Sequence, residues 1–138
     1  MIERASAARF VAYAAVGALG TLAQYVVLIA TVHAGLATPA VGSMVGASVG
    51  ALINYGLNHR VTFRSTASHR STLPKFAAIA CLGVLVNGMV MKVLAESHHV
   101  NYLFAQIVAT GLVLVMTFLI NSAWTFKPQQ RAQTSARP

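Results

Sequence analysis

The fold is decided by one charge-free stretch, residues 10–59, which reads FVAYAAVGALGTLAQYVVLIATVHAGLATPAVGSMVGASVGALINYGLNH. These 50 residues contain no Asp, Glu, Lys or Arg. As one continuous helix they would extend about 75 Å, whereas the hydrocarbon core of a bilayer is about 30 Å thick. The stretch is therefore expected to cross a membrane, turn near Gly35 and Pro39, and cross it again.

The composition of the whole chain supports a membrane protein. Of its 138 residues 57% are hydrophobic and 9% are charged, against about 25% charged in a soluble domain. That is too little charge for a polar shell, which excludes a soluble enzyme, and the single Cys81 excludes a disulfide scaffold. Ten Lys and Arg stand against two acids, but they lie between apolar runs, a pattern typical of membrane topology. We expect no nucleic-acid partner.

Four membrane spans can be placed, which predicts an all-α integral membrane protein. They cover about 10–32, 40–59, 75–95 and 102–124. Thr38 suits the cap of the second span and Pro39 its first helical position, and Pro74 is expected to open the third span. The transmembrane domain is predicted to cover 1–127, and the polar tail 128–138 is predicted to be disordered.

The distribution of Lys and Arg predicts the orientation. Nine lie in the N-terminal arm, the 60–75 loop and the C-terminal tail: Arg4, Arg9, Arg60, Arg64, Arg70, Lys75, Lys127, Arg131 and Arg137. The turns at 33–39 and 96–101 hold none. Because short cytoplasmic loops are enriched in cations, both termini are predicted to be cytoplasmic.

The chain also contains an internal sequence similarity. At an offset of 66, Arg9-Phe10 corresponds to Lys75-Phe76 and Thr21 to Asn87, and at an offset of 63 Asn58 corresponds to Asn121. This predicts two span–turn–span units, about 9–63 and 75–126, in a parallel repeat. The pseudo-two-fold axis of such a repeat lies along the membrane normal, where a shared site would lie.

The second span carries a ridge of residues four apart. Gly42, Gly46 and Gly50 would let another helix approach closely, and Asn54 and Asn58 continue the ridge towards the cytoplasm. In the fourth span the equivalent ridge ends at Asn121. The amides either bond neighbouring helices or face a polar cavity.

Other candidate site residues lie on the remaining spans. Gln24 and Asn87 are neutral amides near the membrane centre, suited to hydroxyl-rich or phosphate cargo or to bonds between helices. Arg60 could grip a phosphate bidentately, or only anchor its span. Lys92 is either an outer phosphate contact or a side chain extending to the outer surface.

No catalytic or metal site is predicted. His98 and His99 have no third ligand nearby, and neither acid lies at a span centre. We expect no cofactor, and an acid-free membrane interior argues against proton coupling.

These residues together resemble the GtrA-like small membrane proteins. The resemblance covers about 8–127 and is carried by RFVAYAAVGALGTL, NYGLNHRVTF, KFAAIACLGVLVN and FLINSAWTF. It implies a four-span bacterial inner-membrane protein that translocates polyisoprenyl-phosphate-linked sugars for cell-surface polysaccharides. The matched positions Asn58 and Arg60 end the first repeat, and Asn121 and Trp124 end the second.

Two functions follow as hypotheses. The first is a flippase for a polyprenyl-phosphate-linked sugar in the lipid bilayer, acting as a homo-oligomer because one short chain encloses little volume. The alternative is a non-transporting scaffold that recruits a polyprenyl-phosphate glycosyltransferase. A small drug exporter fits less well, because the spans lack a central carboxylate and the charge bias is strong.

Overall fold

The computed structural model describes residues 2–58, 60 and 69–125, and within these ranges it contains helices and no strand. The helices are α1 (Ile2–His33), α2 (Pro39–Leu57), α3 (His69–Met91) and α4 (Tyr102–Thr125). A π-helical segment, Lys92–Ser97, continues α3. Four stretches are long and apolar enough to span a membrane: Ala14–His33, Pro39–Leu57, Leu73–Ser97 and Tyr102–Ile120. The predicted all-α architecture with four spans is confirmed.

The start of α3 differs from its prediction. Pro74 lies at the start of the third apolar span, Leu73–Ser97, as predicted, but it does not open the helix, which begins earlier at His69. The preceding residues are polar and continue the helix beyond the apolar run. The missing N–H of Pro74 leaves one carbonyl in the first turns of α3 without its usual partner.

The N-terminus of α2 is capped from two sides. Thr38 is the N-cap residue, its side chain accepts a hydrogen bond from Val41 N, and Pro39 stands at the helix start, as predicted. Glu96, from the π-helical segment, accepts a hydrogen bond from Ala40 N at 3.0 Å. A carboxylate at this end of the helix also interacts favourably with the helix dipole.

The helices pack in chain order, with α1 against α2, α2 against α3, and α3 against α4. The closest approach joins α1 and α2. A Cβ atom added to Gly46 would lie 2.5 Å from the carbonyl oxygen of Gln24, and one added to Gly50 would lie 2.6 Å from that of Gly20. At both glycines the α2 backbone therefore lies directly against the α1 backbone. Gly42 instead faces side chains of α1, and a Cβ atom added there would lie 2.6 Å from the hydroxyl oxygen of Thr31.

The bundle is apolar on its outside as well as in its small core. The core consists of Leu28, Ala40, Met91, Ala105 and Ala109. Large apolar side chains remain on the surface, including Leu52 at 72% and Phe118 at 70% exposure. Such a surface suits lipid as the surrounding solvent. The two-helix repeat and the division into 1–127 and 128–138 stay predictions, and 61–68 and 126–138 lie outside the described residues.

Candidate functional site

A polar cavity lies between all four helices. Its volume is about 220 Å³. Six of its lining residues carry hydroxyl or amide groups: Thr21 and Gln24 on α1, Asn54 on α2, Asn87 on α3, and Thr110 and Thr117 on α4. Small and apolar residues such as Gly20, Gly50 and Gly83 form the rest. Every polar group of the described lining is uncharged, so the cavity offers hydrogen bonds and no ion partner.

The cavity is elongated along the helix axes. On α3 its lining runs from Phe76 to Asn87, eleven residues or about 16 Å of helix. Phe76 lies near the start of the third span, Leu73–Ser97, and Asn87 lies past its middle. With the predicted orientation, the cavity occupies the cytoplasmic half of the bundle and reaches the membrane centre.

A buried polar network closes the end of the cavity that lies away from Phe76. Asn87 donates to the hydroxyl of Ser43, which in turn donates to Gln106 Oε1 at 2.5 Å. Gln106 Nε2 donates to Asn87 Oδ1 at 3.1 Å and to Thr110 Oγ1 at 3.2 Å. Tyr25 shares a hydrogen bond of 3.4 Å with Thr110. The network therefore joins all four helices at one level.

Burial makes this network structurally important. Ser43 and Gln106 are 0% exposed and Asn87 is 2% exposed. Buried polar groups are costly unless they are hydrogen-bonded, and here each of these side chains finds a partner. The network thus fixes the rotation of α2, α3 and α4 relative to one another.

Asn54 is the exception among the buried polar groups. Its Oδ1 atom is buried and has no hydrogen-bond partner among the described residues. The side chain lies against Gly20, where an added Cβ would collide with the amide. An unsatisfied buried acceptor costs about 1–3 kcal/mol, and because this oxygen is packed against Gly20 it is shielded from the open space of the cavity.

Two aromatic rings mark the other end of the cavity. The ring centroids of Tyr55 and Phe76 are 4.9 Å apart, and the rings are tilted by 42°. Phe76 is also part of the cavity lining. This pair joins α2 to α3 below the cavity, as the Ser43–Asn87–Gln106 network joins them above it.

The structure brings some of the predicted site residues together and separates others. Gln24, Asn54 and Asn87 line the one cavity. Arg60 is exposed and lines a different, superficial pocket, and Lys92 is exposed in the π-helical segment. Asn58 directly follows α2 and is half-buried. Asn121 and Trp124 lie in the last turns of α4, and their side chains fall outside the described part of the chain.

Sequence reasoning missed Ser43, Gln106 and Thr110. One signal could have revealed them, because Ser43, Ala47, Gly50 and Asn54 follow a 4-3-4 spacing, as do Gln106, Thr110, Val113 and Thr117. Such a spacing places residues on one helix face. The described residues contain no cluster of three or more His, Cys, Asp or Glu able to hold a metal ion.

Four apolar spans around a cavity with uncharged polar groups in its wall define a small polytopic helical membrane protein. The chain belongs to the GtrA/DPMS transmembrane-domain family, whose model matches residues 12–126. This family is broadly linked to the translocation of lipid-linked sugars, and its domain is a non-catalytic transmembrane domain. No curated protein and no solved structure matches the chain.

Proposed function

We propose that this protein is a flippase that moves a polyprenyl-phosphate-linked sugar across the bacterial inner membrane, with both termini in the cytoplasm. The observation that carries the proposal is the uncharged polar cavity of about 220 Å³ inside the bundle. Most of such a cargo is hydrocarbon and can stay in lipid, so only its sugar and phosphate need a polar path. Membership of the GtrA/DPMS family supports the same function.

The chemistry of the lining suits a sugar. Hydroxyl groups of a sugar both donate and accept, and the amides of Gln24, Asn54 and Asn87 can do the same. A neutral lining gives no special stability to a cation, which would require a carboxylate.

The phosphate would be handled at the membrane surfaces. Arg60 follows the inner end of α2 and is exposed, and its guanidinium can bind a phosphate through two parallel N–H bonds. Lys92 is exposed at the opposite end of the bundle and would meet the phosphate after crossing. Asn58, Asn121 and Trp124 are proposed as further contacts at the inner end.

The positions of the acidic residues indicate how transport would be driven. The chain has only Glu3 and Glu96, and neither lies at a span centre. Intramembrane proton relays use acidic or histidine side chains, so coupled transport has no evident carrier here. We propose passive exchange, driven by consumption of the sugar on the outer side.

The test is transbilayer exchange of a labelled polyprenyl-phosphate-linked sugar in proteoliposomes. Wild-type protein should accelerate exchange over protein-free vesicles. Thr21→Val removes a cavity hydroxyl and should slow exchange about two- to tenfold, the effect of one hydrogen bond. The matched control is Thr31→Val on the same helix, because Thr31 lies outside the cavity and bonds only its own helix's carbonyls.

Two results would count against the proposal. Exchange no faster than in protein-free vesicles would exclude a flippase and favour the scaffold that recruits a glycosyltransferase. If Thr21→Val and Thr31→Val slowed exchange equally, the cavity would not be the site that the sugar passes through. One chain forms the cavity without a second copy, so the proposal holds for a monomer, and the homo-oligomer stays a separate prediction.

A further inference from the structure

A second concavity lies on the outer surface between α2 and α3. This α2–α3 groove has a volume of about 440 Å³, and its walls include Ala51, Leu52, Ala77, Ala80, Cys81 and Val84. The polar residue at its edge is Ser48, whose hydroxyl already donates to the Met44 carbonyl at 2.9 Å. The groove is therefore apolar in effect and suited to a hydrocarbon chain.

The groove continues along α2 to a cation. Leu52 lines both the groove and a superficial pocket of about 350 Å³ that also contains Gly56 and Arg60. From Ser48 to its last residue, Leu57, α2 rises about 14 Å, and Arg60 follows three residues later. An apolar surface that ends at an exposed guanidinium matches a molecule with a long apolar chain and an anionic end.

A thin wall separates this groove from the polar cavity. Ala51, Ala80 and Val84 line both of them. A lipid in the groove would therefore keep its chain on one side of the wall, while a sugar attached to its phosphate could enter the cavity on the other side. The groove and the cavity thus offer adjoining sites for the two halves of one amphipathic molecule.

The α3 wall of the groove consists mainly of small side chains. Ala77, Ala80 and Val84 recur about once per helical turn, which is about 5.4 Å. The methyl branches of an isoprenoid recur every four chain carbons, a spacing close to that of one turn, so small side chains at this spacing leave room for such branches.

We infer that the α2–α3 groove binds the isoprenoid chain of a polyprenyl phosphate, with the phosphate at Arg60. The inference rests on the proposed function and extends it by assigning the lipid half of the cargo to a site of its own. It places that site on α2 and α3 rather than on the surfaces of α1 or α4.

The experiment is photo-cross-linking in proteoliposomes with a polyprenyl phosphate that carries a diazirine on its chain. Cross-links should map to residues 48–52 and 77–85. Excess unlabelled polyprenyl phosphate should abolish them, an equal excess of phosphatidylglycerol should not, and polyprenol, which lacks the phosphate, should compete more weakly. Arg60→Lys should remove the advantage of the phosphate over polyprenol, because lysine lacks the bidentate fork.

Neighbouring alanines provide the matched variants. Ala77 and Ala78 are both exposed on α3, but only Ala77 lines the groove. Ala77→Leu should lower cross-linking about tenfold by filling the groove, an effect of the size that overpacking produces. Ala78→Leu should leave cross-linking unchanged, and both variants should unfold like the wild type.

The results separate this inference from the proposed function. Equal cross-linking of the Ala77→Leu and Ala78→Leu variants, or competition by phosphatidylglycerol as strong as by polyprenyl phosphate, would overturn the groove site. So would efficient Cys81-to-Cys81 cross-linking between copies in the presence of the lipid, because a second chain would then cover the groove. Transport without groove cross-links refutes the inference alone, and groove cross-links without transport refute only the flippase.

Discussion

Replacing Gln106 by leucine removes the centre of the buried network with little change in side-chain size. The Gln106 amide accepts a hydrogen bond from Ser43 and donates to Asn87 and Thr110. Side-chain hydrogen bonds inside membranes average about 0.6 kcal/mol, so losing three should cost about 1.8 kcal/mol of stability. At 1.4 kcal/mol per factor of ten, the unfolding equilibrium constant should rise about twentyfold.

Gln24→Leu is the matched control, because it makes the same chemical change at a different place. Gln24 lines the cavity, and its side chain makes no hydrogen bond with the described residues. Its loss should change stability by less than about 0.5 kcal/mol while slowing sugar-lipid exchange. Gln106→Leu should therefore lower the stability of the protein through lost hydrogen bonds, whereas Gln24→Leu should slow exchange and leave stability nearly unchanged.

Stability is measured by titrating the folded protein in mild detergent with dodecyl sulfate and following the fluorescence of the chain's single tryptophan. Exchange is measured in proteoliposomes at matched protein density. If Gln106→Leu were as stable as Gln24→Leu, the network would not hold the helices together, and the role assigned to Ser43, Asn87 and Gln106 would fail.

Three further outcomes are expected. Gly46→Ala should lower the stability of the protein by about 1–3 kcal/mol in the same titration, because the added Cβ would meet an α1 carbonyl oxygen at 2.5 Å. Gly56→Ala is its control: the added Cβ meets open space, so helix propensity should raise the stability by up to about 1 kcal/mol. Glu96→Ala should lower the stability in detergent by about 1 kcal/mol, because the cap on α2 is lost. Glu96→Gln keeps an acceptor oxygen and should cost less. If both variants lost the same stability, the negative charge and not the hydrogen bond would carry the effect. A phosphatase reporter fused after Pro138 should be inactive and one inserted near Ala37 active, and the reverse pattern would invert the membrane orientation.

The fold followed from the sequence because apolar length is a strong constraint. A helix that crosses lipid must satisfy its own backbone, so the number of long apolar stretches gives the number of spans. Helix starts were less predictable. The polar residues before Pro74 carry no apolar signal, yet they continue α3 back to His69.

The site was predictable in its residue types more than in its arrangement. Neutral amides at membrane depth pointed to Gln24, Asn54 and Asn87, which share the cavity. The position of Arg60 was harder to predict, because residues that are close in sequence need not lie on the same face of a helix. Six residues separate it from Asn54, a rotation of about 240° beyond one full turn, and Arg60 accordingly lines another pocket.

The sequence did not identify Ser43 and Gln106 as site residues for a different reason. Both are single polar residues within apolar spans, and their meaning depends on which faces of α2 and α4 turn towards each other. That rotation is set by contacts between helices, above all by the α1–α2 approach at Gly46 and Gly50. The 4-3-4 spacing within each span shows which residues share a face with Ser43 or Gln106, but it does not show that these two faces meet.

The predicted repeat offers a physical reason for the cavity. At the offset of 63 the glycines of the α2 ridge correspond to bulkier residues on α4, namely Gly42 to Ala105, Gly46 to Ala109 and Gly50 to Val113. Glycine lets α1 and α2 touch through their backbones, whereas the side chains on α4 hold it further from α3. A Cβ atom added to Gly83 on α3 would lie only 3.3 Å from the Val113 side chain. The valine therefore keeps α3 and α4 from approaching as closely as α1 and α2 do.

Positions that the predicted repeat would relate also face the same space. Asn54 and Thr117 are related by the offset of 63, Thr21 and Asn87 by the offset of 66, and all four line the cavity. A site shared by two repeats is expected at their interface. Because each pair combines a hydroxyl with an amide, the two walls differ chemically, and an asymmetric group such as a sugar would bind in one orientation.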